Sequence, residues 1–60
     1  MTTITVALTT GQAEAFAQFY KRTGWSDYQA KAKDDTEAQN MADAVYAIAK
    51  ELKAAGHDPR

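Results

Sequence analysis

The stretch that decides the fold is Ala38 to Ala55, AQNMADAVYAIAKELKAA. Ala38, Met41, Ala42, Val45, Ile48, Ala49, Leu52 and Ala55 recur at i, i+3, i+4 and i+7, the period of a helix with one apolar face. Lys50 and Lys53 suit its negative end, Gly56 its left-handed cap, and Pro59 cannot continue it. The tail from His57 to Arg60 is expected to fray. Two caps compete for the start, Asp34 with Glu37 or Thr36 with Gln39, and Asp34, Asp35 and Glu37 all favour a helix N-terminus.

Working back from that start, Ser26-Asp27-Tyr28-Gln29 has the spacing of a capping box and predicts a short helix running to about Lys33. No glycine or proline separates the two helices. The break is read from phase, because the stripe of Tyr28 and Ala32 would continue where Asp35 and Thr36 stand. Further back, Thr9 and Gln12 form another capping box. It opens a helix with Ala13, Phe16, Ala17, Phe19 and Tyr20 as its apolar face and Lys21 and Arg22 at its end. Gly24 is expected as a left-handed C-cap, with Trp25 folding back onto Phe19 or Tyr20.

The N-terminus alternates: Thr3, Thr5 and Ala7 fall on one side, Ile4, Val6 and Leu8 on the other, which predicts a strand. The expected fold is therefore mainly α with one N-terminal β-strand, in the order β-α-α-α, as a single domain over residues 1–60. No second strand-like segment follows. Strand pairing through Thr3, Ile4, Thr5, Val6 and Ala7 is then expected with the same segment of a second copy, giving a homodimer, or with a sheet edge in a target.

Composition narrows the function. Of 60 residues 45% are apolar, but 13 are alanine, so the core is short of large side chains. There is no cysteine, which removes disulfides, thiolate metal sites and thiol nucleophiles. The first basic residue is Lys21 and no long apolar run occurs, so no signal peptide or membrane span is expected and the location is read as cytoplasmic. His57, the single histidine, has no nucleophile or carboxylate at a holding distance, and Ser26, the single serine, is assigned to a cap. Neither catalysis, a cofactor nor a metal site is expected. Asp34 and Glu37 share a face, but capping explains them without a bound cation.

Charge is unevenly spread. The net charge is −1, yet residues 34–43 carry four acidic groups and no basic one. That belt fits a partner protein with a basic surface. Nucleic acid is the less expected partner, because Lys21, Arg22, Lys31 and Lys33 suit helix ends and an exposed short helix. The expected partner-binding residues are Trp25 and Tyr28 as aromatic anchors, with Asp34, Asp35, Glu37 and Asp43. Trp25 has a second reading as a core residue, with Phe16 or Phe19.

The run from Gln12 to Ala44, QAEAFAQFYKRTGWSDYQAKAKDDTEAQNMADA, with the ending AGHDPR, resembles a family of small uncharacterised proteins of proteobacteria and their mobile elements. Being a family of unknown function, it implies a genomic setting and no active site. The strand, cap and first helix also resemble the start of a ribbon-helix-helix repressor subunit, but Thr3, Thr5 and Ala7 stand where that pattern has basic or amide readers. In make-up the chain is similar to small phage-encoded inhibitors of host defence, anti-CRISPR proteins among them. The leading expectation is a non-enzymatic inhibitor that blocks a host complex such as a CRISPR-Cas effector. A ribbon-helix-helix-like DNA-binding dimer is the alternative.

Overall fold

The structure, a computed structural model, describes residues 1–57. They form three helices: α1 (Thr10–Arg22), α2 (Trp25–Lys31) and α3 (Asp35–Ala54). α3 is the common support, because α1 and α2 each pack on it rather than on one another. With 13, 7 and 20 residues, the helices are roughly 20, 10 and 30 Å long. α1 and α2 laid in tandem therefore match the length of α3. The outcome is a two-layer slab of 33 × 28 × 15 Å.

Each helix start is set by a side chain. The Thr9 hydroxyl accepts from the Gln12 amide at 3.1 Å, and the Gln12 side chain accepts from the Thr9 amide at 3.0 Å. This is the capping box expected from the sequence. At α3 the competition between caps is resolved for Asp34, whose carboxylate accepts from the Glu37 amide at 2.8 Å. Glu37 reaches back to the Lys33 amide at 3.1 Å. These two contacts also explain why α2 stops without a glycine or proline. Asp34 must be extended to cap α3, and the chain is already extended at Ala32, so the helical run cannot pass through the junction.

The start of α2 differs from expectation. It begins at Trp25 with Gly24 as N-cap, and the Asp27 carboxylate accepts from the Gly24 amide at 2.8 Å. Asp27, not Ser26, is the capping side chain. Gly24 is extended (φ −109°), so it is not a left-handed C-cap. Thr23 closes α1 in its place, donating its hydroxyl to the Phe19 carbonyl at 2.6 Å and its amide to that of Tyr20 at 3.3 Å. The left-handed glycine is Gly56 (φ 96°). Its amide donates to the Lys53 carbonyl at 2.9 Å and that of His57 to Leu52 at 2.8 Å, a Schellman ending. The expected stop at Pro59 and the fraying beyond His57 lie outside the described residues.

No strand is present among the described residues, which corrects the expected β-α-α-α order to α-α-α. Thr3, Ile4, Thr5, Val6 and Ala7 lie ahead of α1, exposed and outside any ladder. The physical reason is that alternation of β-branched residues favours extended backbone, whereas a strand exists only where a neighbouring backbone accepts its hydrogen bonds. The rest of this chain is committed to helix.

The interior is made of alanine. Ala13 and Ala17 of α1 and Ala38 of α3 are buried, Ala38 with 0% of its surface exposed. Phe16, Tyr20, Met41, Val45 and Leu52 are half-buried around them. Tyr20 meets Tyr46 midway along α3, with ring centroids 6.4 Å apart, and Ala17, one turn back, lines a cleft with Ala49 and Lys53. α1 therefore runs antiparallel to α3.

Because Asp34 makes the capping contact and Thr36 does not, Asp34→Ala is expected to cost about 1 kcal/mol in urea denaturation. Thr36→Ala should be close to neutral. Equal losses would show that the cap has been assigned to the wrong residue.

Candidate functional site

α2 carries the aromatic residues singled out in the sequence. Trp25 opens the helix and keeps 43% of its surface exposed, so it does not fill the core. Tyr28, three residues on, is half-buried, and its hydroxyl is pushed above the ordinary tyrosine pKa. Desolvation is the largest cause, followed by neighbouring Tyr20 and then by the negative charge of Asp27. Asp27 is held in place by its bond to the Gly24 amide. One residue thus both starts α2 and sets the charge beside Tyr28.

The acidic belt divides into two parts. Asp34 and Glu37 are occupied with the backbone at the start of α3. Asp35 and Asp43 lie two turns apart on the face that also holds Gln39 and Tyr46, and the Gln39 side-chain amide donates to Asp43 at 2.9 Å. Asp35, Asp43 and Tyr46 are all exposed. The sequence-expected belt is therefore a helix cap followed by a two-carboxylate face.

Sequence reasoning did not assign Tyr46 to the site. It stands 56% exposed between the Asp35–Asp43 face and an open cleft of about 260 Å³ between α1 and α3. Tyr20, Lys50, Lys53 and His57 complete the rim, with Ala17 and Ala49 at the base. The Schellman ending holds the backbone of His57 back over the last turn, which puts its ring at this rim. The signal was available: Tyr46 follows Ala42 by four residues and precedes Ala49 by three, at the edge of the apolar stripe. The cleft offers two flat phenols and two lysine ammoniums, a setting for holding a group rather than for transforming one. Lys21 and Arg22 line a separate concavity on the outer face of α1 with Gly11, Glu14 and Gln18. Among the described residues no three metal-ligating side chains cluster, and no helix is long and apolar enough to cross a membrane.

One family description, the family of unknown function DUF7706, matches residues 1–60. The chain belongs to this family. Neither the curated proteins nor the solved structures contain a match to it. The DUF7706 assignment covers the aromatic α2, the acidic start of α3 and the α1–α3 cleft together, and carries no activity with it.

Tyr28 gives a direct check on this geometry. Its raised folded-state pKa means that the neutral phenol is favoured in the fold. The associated stability is complete below the unfolded tyrosine value of about 10 and is lost as pH rises through the folded value. Ultraviolet titration of wild type minus Tyr28→Phe should show a phenolate step above about 10. A step at or below that value would mean that Tyr28 is solvated and that Asp27 does not face it.

Proposed function

We propose that this chain acts by binding another protein and carries out no reaction of its own. The observation that supports this best is an inversion of the usual distribution: the buried residues are alanines, while Phe19, Trp25 and Tyr46 are exposed. Exposed aromatic residues are the commonest energetic anchors of protein interfaces, and a chain this small gains nothing by leaving them in water. The proposed contact surface runs from Trp25 and Tyr28 on α2 to Asp35, Asp43 and Tyr46 on α3. Its carboxylates favour a partner with a basic surface, where they speed encounter and fix orientation.

In its most specific form the reading is a cytoplasmic, steric inhibitor encoded by a phage or mobile element. Such an inhibitor would occupy the basic nucleic-acid-binding surface of a host complex, a CRISPR effector among the candidates. Small size, the absence of cysteine and the two-carboxylate face of α3 support it.

The test compares two baits in a lysate of the source organism: wild type, and Trp25→Ala combined with Tyr46→Ala. A protein retained by wild type in low salt, released as salt rises, and lost from a variant with unchanged helicity is the expected result. Equal retention by both baits would remove these residues from the interface. Tight, steeply salt-dependent binding of random duplex DNA would replace the reading with a DNA-binding regulator.

A further inference from the structure

The large aliphatic side chains of α3 lie along one line. Met41, Val45, Ile48 and Leu52 are spaced by four, three and four residues, with Ala38 before them and Ala55 after. This is the a/d spacing by which two helices pack along their length. α1 and α2 cover only part of the apolar arc. Ala38 is fully buried and Ala42 and Ala49 are half-buried, but Met41, Val45 and Leu52 are also only half-buried and Ile48 is 42% exposed. Ala44 and Ala47 stand exposed beside the open flank, and their small size lets another helix approach closely.

The exposed area indicates what covers this line. The chain leaves 4815 Å² accessible, whereas a compact protein of 6.6 kDa exposes about 3,900 Å². The difference, about 900 Å², is close to the ~800 Å² that each partner contributes to a stable interface of standard size. An interior of alanines gives little burial to offset the ordering of sixty residues. The missing apolar contact must therefore be supplied whenever the chain folds. A second copy is the one partner always present at that moment, and an apolar line of this kind is complementary to itself.

We propose that α3 pairs with α3 of a second copy through Met41, Val45, Ile48 and Leu52, and that the folded unit is a homodimer. Ile48 and Tyr46 are about 200° apart around the helix, so the dimer leaves the Trp25–Tyr46 surface free and does not depend on the role proposed for it.

Sedimentation equilibrium and thermal melting test this together. Wild type should sediment at twice its chain mass, and its melting temperature should rise with protein concentration between about 5 and 500 µM. Ile48→Glu should move the monomer–dimer midpoint at least about tenfold to higher concentration, whereas Phe19→Glu, on the face of α1 away from the line, should leave it unchanged. The melting series needs no variant, so the proposal stays testable if Ile48→Glu does not fold. A wild-type melting temperature independent of concentration, or a dimer indifferent to Ile48→Glu, overturns it.

Discussion

Helix α3 meets its neighbours through alanine, and the rest of the molecule follows from that contact. Ala13 and Ala17 on α1 and Ala38 on α3 are the residues fully withdrawn from water. Alanine loses no side-chain entropy on burial and lets helix axes come close, but it removes little apolar area from solvent. The larger side chains therefore sit around the contact rather than inside it. Tyr20 and Tyr46 close one edge, while Met41, Val45, Ile48 and Leu52 run along the other. Stability is concentrated in the caps and in this narrow seam, and the outer surface carries groups that most proteins keep within.

That arrangement separates two surfaces on one helix. The Asp35–Asp43–Tyr46 face, continued by Trp25 and Tyr28 on α2, is polar at its edges and aromatic at its centre, the composition of a contact that forms and dissociates. The aliphatic line lacks polar groups, the composition of a contact that stays closed. A small chain with both can complete its own core with one face and present the other to a partner. DUF7706 membership spans all the residues involved.

Much of the helical layout was legible in the sequence because it is written in local chemistry. Thr9 with Gln12 and Asp34 with Glu37 cap where their spacing predicts, Gly56 ends α3 in the left-handed conformation, and the phase slip after Ala32 marks the break between α2 and α3. The failures share one cause. The alternation of Ile4, Val6 and Leu8 records a preference for extended backbone, but a strand needs a partner backbone that local pattern does not supply. Gly24 was misread for a related reason: glycine permits a left-handed cap without requiring one, and Thr23 and Asp27 together hold it extended. In the candidate site, Trp25 and Tyr28 were visible as aromatics in a short helix. Tyr46 was not, because its importance comes from Tyr20, twenty-six residues away in the chain.

The central claim is that close alanine contact, rather than a cavity awaiting larger groups, joins α3 to its neighbours. Replacing Ala38 by leucine tests it most directly, since that position has no exposed surface to receive the added atoms. Urea denaturation of Ala38→Leu should show a loss of about 1–3 kcal/mol from overpacking. A variant as stable as wild type, or more so, would mean that the junction has room to spare and would contradict the account.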